Sequence, residues 1–170
     1  MNIRYGNLND AKMLSELGAK TFYDAFEKDN TPLNMKAYLK KSFSPEIQLY
    51  ELTQPEVIFL VAESDATAVG YAQLIMNSRD ELIHGETPME LRRIYAVQEF
   101  IGKGVGKELM YRSIHEARQR DCDVIWLGVW EKNQRAIDFY KKWGFREVGA
   151  HLFALGDEPQ NDLLMALDLI

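Results

Sequence analysis

The chain has 170 residues, and its 20 Lys and Arg against 26 Asp and Glu give a formal charge of -6 at neutral pH. Its length suits one domain, and its 46% hydrophobic and 11% aromatic content excludes an intrinsically disordered protein. The longest apolar runs, residues 57–62 and 124–130, are too short to cross a bilayer. Because residues 1–6 also lack an apolar signal core, we expect a soluble cytoplasmic protein with a single domain over residues 1–170.

Positive charge is concentrated in one segment of this acidic chain. Residues 92–120 contain seven Lys and Arg against three Asp and Glu, a local charge of +4. This pattern is typical of a site for an anionic ligand, although a solvated helix face would give the same count. The negative total disfavours nucleic acid as the main partner. The single Cys122 excludes an internal disulfide and a metal site built from cysteines.

The first half of the chain predicts one strand, three helices and a hairpin. Asn9 or Asp10 is positioned to cap the first helix. Thr31-Pro32 and Ser44-Pro45 mark the starts of the next two, since proline is tolerated in the first turn of a helix. The predicted strands are residues 2–5, 57–62 and 67–76, with a turn at residues 65–66 joining the last two.

The second half alternates strands and helices. A glycine-rich stretch, residues 102–107, leads into one helix, and Asn133 opens a shorter helix that ends at Gly144. The inward positions are Val105, Leu109, Ser113, Ile114 and Ala117 in the first helix, and Ala136, Ile137, Tyr140 and Trp143 in the second. The predicted strands are residues 89–97, 124–130, 145–148 and 163–169. This order predicts an α/β fold with a mixed, mostly antiparallel sheet and helices on both faces.

The glycine-rich stretch is the first feature that carries chemistry. Glycines between a strand and a helix let backbone N–H groups converge on a phosphate at the positively polarised helix end. A P-loop would need four residues between its first glycine and its Gly-Lys pair, whereas three separate Gly102 from Gly106. A dinucleotide-binding fingerprint would need a glycine in place of Lys107. Neither nucleotide motif fits.

Ile101-Gly102-Lys103-Gly104-Val105-Gly106 resembles the acyl-CoA loop of the GNAT superfamily of N-acetyltransferases, Q/R-x-x-G-x-G/A. The two later glycines match the pattern, and Ile101 departs from the Gln or Arg of the family. Since the family grips pyrophosphate chiefly with backbone amides, the resemblance implies that this departure has a modest effect.

Two further segments extend the resemblance to nearly the whole chain. Ile94-Tyr95-Ala96-Val97 resembles the central strand of the family, whose end splays from the next strand and admits the pantetheine arm. The stretch from Asn133 to Phe145 is similar to the signature Asn-x-x-Ala-x-x-x-Tyr-x-x-x-Gly-Phe. Together they imply a GNAT-like acetyltransferase fold.

A narrower resemblance concerns the acceptor. Residues 26–43, residues 126–133 and the tail over residues 149–163, which includes Asp157, are similar to PaiA-type spermidine/spermine acetyltransferases. This similarity implies a small cationic amine, a polyamine first, as the acceptor.

The resemblance also implies roles for individual residues. Tyr140 would protonate the departing CoA thiolate, although a tyrosine at this helical spacing is also typical of a core aromatic. Asn133 would bind the pantetheine arm besides capping its helix. Acetyl-CoA is the expected co-substrate, and no metal is expected. The implied cofactor-binding residues are Ile94, Tyr95, Ala96, Gly102, Gly104, Val105, Gly106 and Asn133. Lys103, Lys107 and Lys142 are added as candidates to bind the CoA phosphates, with solvated surface lysines as the alternative.

An amine must lose a proton before it attacks a thioester, because the pKa of an alkylammonium is ~10. Glu90 stands where some family members carry a catalytic glutamate, and strand alternation predicts that Glu90, Arg92 and Ile94 share one face. A structural ion pair of Glu90 with Arg92 or Arg93 is an equal alternative, and a water chain could take its place as the base.

The remaining reactive residue types are assigned no chemistry. His84, His115 and His151 lack metal-ligand spacing, and only His151, in the PaiA-like tail, is kept as a candidate for the substrate pocket. Asp121 and Asp123 raise the expected pKa of the Cys122 thiol, so Cys122 is not proposed as a nucleophile. Without an acyl-enzyme, the acetyl group should pass directly from the thioester to the amine.

We therefore expect an acetyl-CoA-dependent N-acetyltransferase that acts on a polyamine or similar amine. An acetyl-CoA-binding regulatory module and an acetyltransferase for peptide or protein amines are the alternatives. Neither nucleic acid nor a membrane is needed as a partner, and a homodimer is left open. Candidate aromatic residues for the amine pocket are Phe22, Tyr23, Phe26 and Tyr38, with Asp24, Glu27 or Glu90 to attract the cation. A place in the hydrophobic core is the alternative for most of these aromatics.

Overall fold

The computed structural model describes residues 1–156 and 158–170. The strands are β1 (Asn2–Tyr5), β2 (Val57–Ser64), β3 (Thr67–Met76), β4 (Pro88–Ala96), β5 (Val124–Trp130), β6 (Arg146–Leu155) and β7 (Glu158–Asp168). The helices are α1 (Ala11–Phe26), α2 (Pro32–Phe43), α3 (Pro45–Thr53), α4 (Val105–Gln119) and α5 (Gln134–Lys142). Within these described residues the strands form one sheet in the order β1-β2-β3-β4-β5-β7-β6.

The sheet is mixed and mostly antiparallel, as predicted. Every neighbouring pair is antiparallel except β4 and β5, which run parallel. That parallel pairing is short, because it joins only residues 88–90 to residues 124–126. Strand β4 remains paired with β3 along its length, and β5 with β7, so the two central strands diverge beyond this point.

Helices cover both faces of the sheet, which also matches the prediction. On one face, α4 and α5 bury side chains such as Leu109 and Ile137 against β2 to β5 and β7. On the other face, Leu14 and Leu17 of α1 pack against β2 and β3. The inward positions predicted for α4 are all buried. No helix in the described part of the chain is long and apolar enough to span a membrane.

All three predicted helix starts are confirmed, with Asp10 at the N-cap position of α1, but only two of the three make the expected capping hydrogen bond. The hydroxyls of Thr31 and Ser44 accept first-turn N–H groups at 3.2 and 3.3 Å, as capping residues do. The first helix is preceded by a single helical turn over residues 8–10, and the capping residue of that turn is Asn7. Asp10 receives the Asn7 N–H and pairs with Arg4, so it makes no capping hydrogen bond for α1.

The prediction that Glu90, Arg92 and Ile94 share one face of the sheet is wrong, because β4 carries a bulge. Leu91 pairs with Leu74 and Arg93 with Gln73, which leaves Arg92 as the extra residue. The alternation therefore shifts, and Glu90 lies on the face covered by α1 whereas Ile94 packs on the α4 face.

The last two strands are longer than predicted. Residues 145–148 and 163–169 were the expected strands, whereas β6 and β7 form a hairpin that reaches Leu155 and Glu158. The added part of β6 alternates exposed and half-buried side chains, so it lacks the continuous apolar run that marks a buried strand. Asp157 lies outside the described residues.

We predict that Gly18→Ala destabilises the protein, although alanine normally stabilises a helix interior. A Cβ at Gly18 would lie 2.5 Å from Cδ1 of buried Phe43, so α1 and α2 must separate. The free energy of unfolding should fall by about 1–3 kcal/mol, measured in urea. Glu16→Ala, at an exposed position of the same helix, should change it by less than about 0.5 kcal/mol. A more stable Gly18→Ala variant would contradict this packing.

Candidate active site

A cavity of about 370 Å³ lies where β4 and β5 diverge. Strands β4 to β7 and helices α1, α2 and α5 all contribute to its wall. Its principal lining residues are Phe22, Phe26, Tyr38, Glu90, Arg92, Arg93, Ile94, Tyr95, Gly128, Trp130, Asn133, Arg135, Tyr140, Phe153, Gln160 and Asp162. The opening of the sheet creates the cavity. If β4 and β5 stayed paired, no room would remain between residues 91–96 and 127–130.

The first predicted ligand-binding segment lies along this opening. Ile94 and Tyr95 line the cavity, whereas Ala96 pairs with Gly70 at the end of β4 and is not part of the wall. Because β4 bonds to β3 on one edge only in this part, its other edge offers free backbone groups to an extended polar chain. A pantetheine arm, with its two amides, matches such an edge.

The glycine-rich loop stands before the N-terminus of α4. Gly102 and Gly104 have φ angles of +81° and +89°, which L-residues with a side chain rarely adopt. Nothing lies within 4 Å of the position of a Cβ at either residue, so their backbones border open space. Gly104 precedes the first turn of α4, whose N–H groups lack intrahelical acceptors. These features fit a cradle for a phosphate group.

The other residues predicted to bind the cofactor near this loop differ in burial. Val105 is buried in the core, where it fixes the start of α4, and Gly106 lies against Phe139 of α5. Lys103 and Lys107 are exposed, and Lys142 is exposed in the last turn of α5. All three lysine side chains are accessible to phosphates.

Tyr140 and Asn133 reach the cavity from α5. Tyr140 is buried among core residues and lines the cavity at the same time. Burial raises its pKa above the usual value, so its hydroxyl carries a proton at neutral pH and can donate it. Oδ1 of Asn133 accepts the Ala136 N–H at 3.3 Å, which confirms its capping role.

Glu90 lines the cavity but is engaged with its neighbours. The Ser78 hydroxyl donates to its Oε2 at 2.6 Å. Arg92 donates to both carboxylate oxygens, at 2.9 Å from Nη2 and 3.3 Å from Nε. Glu90 therefore forms the ion pair that was predicted as the alternative to a catalytic role, and its partner is Arg92 at the bulge. Arg93, the other predicted partner, stacks over Phe43 and lies near Glu51.

A second carboxylate of the cavity, Asp162, was missed by sequence reasoning. It lies on β7 opposite Trp130 of β5. Burial raises its pKa to about 6. The available signal was weak, because an aspartate that precedes the apolar run of residues 163–167 resembles an ordinary strand-end residue.

An aromatic wall faces these two carboxylates. The rings of Phe22 and Tyr38 stack with centroids 4.6 Å apart, and Phe26 meets Trp130 edge-on at 6.3 Å. Three of the four predicted pocket aromatics are confirmed as lining residues, whereas Tyr23 is exposed and outside the wall. The exposed Asp24 and Glu27 of the same region are likewise not part of it.

The remaining reactive residues are not part of the cavity wall. His151 pairs with Asp80 at 2.9 Å and is not a lining residue. Burial, with help from the Asp123 charge, raises the pKa of the Cys122 thiol and disfavours the nucleophilic thiolate. Over residues 1–156 and 158–170, no group of three or more His, Cys, Asp and Glu side chains is arranged to hold a metal ion.

Comparisons with known proteins agree with this arrangement. The sequence profile of the Acetyltransferase (GNAT) family matches residues 19–145. The chain is 32% identical over 154 residues to an uncharacterized N-acetyltransferase of Lactobacillus delbrueckii subsp. lactis, covering 91% of this chain and 89% of the relative. It is 31% identical over 163 residues to an uncharacterized N-acetyltransferase of Mycobacterium tuberculosis, covering 96% and 100%.

A solved structure shares the fold over the full length. The PaiA N-acetyltransferase of Thermoplasma acidophilum, in complex with coenzyme A, superposes with a TM-score of 0.79 over 99% of both chains, at 21% sequence identity. The family match, the two relatives that are similar over most of their length, and the opened sheet agree. The chain belongs to the acetyltransferase (GNAT) family and is an acetyl-CoA-dependent N-acetyltransferase.

Proposed function

We propose that this enzyme transfers the acetyl group of acetyl-CoA directly to a cationic primary amine, with spermidine or spermine as the preferred acceptor. The observation that carries this proposal is the cavity at the sheet opening, where Tyr140, two carboxylates and an aromatic wall meet. Aromatic faces and carboxylates together attract alkylammonium groups. The resemblance of residues 26–43 to PaiA-type helices supports a polyamine in particular.

The donor fits the other side of the opening. The loop at Gly102 and Gly104 presents backbone amides and open space to the pyrophosphate, and the +4 charge of residues 92–120 complements its phosphates. Lys103 and Lys107 stand at the loop and the first turn of α4. The free edge of β4 then guides the pantetheine arm toward Tyr140. Acetyl-CoA supplies the activated acetyl group, and the protein positions it.

Direct transfer requires two proton transfers, one from the acceptor nitrogen and one to the leaving sulfur. The amine nitrogen forms a bond to the acetyl carbon while the carbon–sulfur bond breaks. The Tyr140 hydroxyl donates a proton to the departing sulfur, which its raised pKa permits because the phenol stays protonated at neutral pH. A carboxylate of the cavity takes the proton that the acceptor ammonium must first lose, and Glu90 is the residue predicted from the sequence for this step.

We predict that Tyr140→Phe lowers the rate of acetyl transfer by about 10²–10⁴-fold in a single-turnover assay, because the leaving sulfur loses its proton donor. The affinity for CoA should be unchanged, since the ring is retained. Tyr111→Phe, at an exposed tyrosine of α4, serves as the matched control and should leave the rate unchanged. An unaltered rate in Tyr140→Phe would exclude the role of the hydroxyl.

We predict that Gly104→Ala weakens CoA binding about 5–30-fold in calorimetry, because the left-handed conformation of this residue costs an L-residue about 1–2 kcal/mol. Gly106→Ala is the matched control. Its Cβ would lie 3.7 Å from the Phe139 ring, an ordinary contact, and its backbone needs no positive φ. Equal effects of the two substitutions would contradict this assignment of the loop.

The acceptor is tested by thiol release from acetyl-CoA with spermidine, spermine, short diamines and peptides that carry a free N-terminus or lysine. We expect kcat/KM for the polyamines to exceed that for the peptides by about 10-fold or more, because the cavity of about 370 Å³ is lined by aromatic rings and carboxylates that suit a small cationic amine. Faster transfer to the peptides would overturn the polyamine assignment. Release with none of these amines would overturn the proposed acceptor class.

A further inference from the structure

We propose that Asp162, rather than Glu90, is the carboxylate that binds the ammonium group of the acceptor in the cavity and takes its proton before transfer. This inference rests on the proposed function and names the residue that prepares the nucleophile. Glu90 then has a positioning role, in which it holds Arg92 at the bulge of β4.

The register of the sheet directs Asp162 toward the acceptor side of the cavity. Asp162 pairs with Trp130, so their side chains leave the sheet on the same face. Gly128, two residues earlier on β5, is exposed and has no side chain to cover the space beside them. A Cβ at Gly128 would lie 3.6 Å from Oδ2 of Asp162, which places the carboxylate over this glycine. The carboxylate therefore borders the opening directly.

Asp162 differs from Glu90 in its partners. Glu90 receives hydrogen bonds from Ser78 and Arg92 on both oxygens, so an incoming ammonium group would have to displace them. For Asp162, burial alone raises the pKa to about 6, and no hydrogen bond or charge in the described residues offsets it. A carboxylate that is partly desolvated and without a cation is suited to receive one from the substrate.

The charged and titratable groups around Asp162 leave it available. Helix α1 contributes only apolar side chains to the wall. The titratable groups from the other elements are Glu90, Arg92, Arg93 and Tyr95 of β4, Arg135 and Tyr140 of α5, Tyr38 of α2, and His151, its register partner on β6. Glu90 is paired with Arg92, and His151 with Asp80. Arg93 stacks over Phe43 and lies 3.6 Å from Glu51. Lys132 lies over the Trp130 ring, with Nζ 5.9 Å from its centroid.

The proton balance follows from this arrangement. At neutral pH Asp162 is ionised and binds the ammonium group in the cavity, on the side of the sheet that it shares with Trp130. The ammonium group passes one proton to Asp162. The raised pKa of Asp162 makes this transfer less unfavourable, because it reduces the difference from the pKa of an alkylammonium, which is ~10. The neutral nitrogen then bonds to the acetyl carbon as the carbon–sulfur bond breaks. Tyr140 protonates sulfur, the second nitrogen proton replaces that of Tyr140, and Asp162 returns its proton to solvent.

The test is the pH dependence of kcat/KM for spermidine between pH 5 and 8, at saturating acetyl-CoA. In the wild type we expect a rise with increasing pH through about 6, as Asp162 ionises, and then a plateau. Asp162→Asn should lower kcat/KM at pH 7.5 by about 10²-fold or more and remove the rise near pH 6. The affinity for CoA and the melting temperature of the CoA complex should be retained.

Three further variants make the test specific. Asp168→Asn, at an exposed aspartate of the same strand, should leave kcat/KM unchanged. Glu90→Gln should keep the rise near pH 6, whatever its effect on the rate. Gly128→Ala adds a methyl group beside Oδ2 and should move the rise to higher pH, because it removes more water from the carboxylate.

The proposal is overturned if Asp162→Asn retains kcat/KM within about threefold, or if Glu90→Gln and not Asp162→Asn removes the rise. Failure of the proposed function gives a different result, namely that the wild type releases no thiol with spermidine or the other amines. If Asp162→Asn does not fold, a Gly128→Ala profile that coincides with the wild type overturns the assignment in its place.

Discussion

The site depends on one constraint, which is that β4 and β5 stay paired over only three residues of each strand. Neither strand can close the opening, because β3 holds β4 on one side and β7 holds β5 on the other. The divergence creates a cavity through the sheet, frees one edge of the β4 backbone and brings helices from both faces to a common space. In the proposed function, donor and acceptor approach each other from opposite faces of the sheet.

The two proton transfers of the proposed reaction are separated by the same geometry. Tyr140 enters the cavity from α5, on the face that carries the α4 core. The Asp162 side chain leaves the sheet on the other face, as do the side chains of Leu164 on the same strand and of its pairing partner Trp130. In the proposed mechanism the ammonium proton leaves on one side of the sheet and the sulfur receives its proton from the other. Burial raises both pKa values, so the phenol remains an acid and the carboxylate becomes a stronger base.

Patterns that depend on neighbours in sequence predicted most of the fold. The Thr31-Pro32 and Ser44-Pro45 starts and the apolar run of residues 57–62 act through local hydrogen bonds and periodicity. The bulge at Arg92 could not be predicted in this way, because it arises from pairing with Gln73 and Leu74 of another strand. Asp162 was missed for the same reason, since its surroundings come from β5 and the helices rather than from its own strand.

A crystal structure of the enzyme with coenzyme A and spermidine bound together tests the proposed mechanism most directly. We expect the pyrophosphate at the loop of Gly102 and Gly104, the thiol sulfur within hydrogen-bond distance of the Tyr140 hydroxyl, and a terminal nitrogen of spermidine on the Asp162 carboxylate. A complex in which the sulfur and the amine lie outside the opening between β4 and β5 would contradict the proposed mechanism.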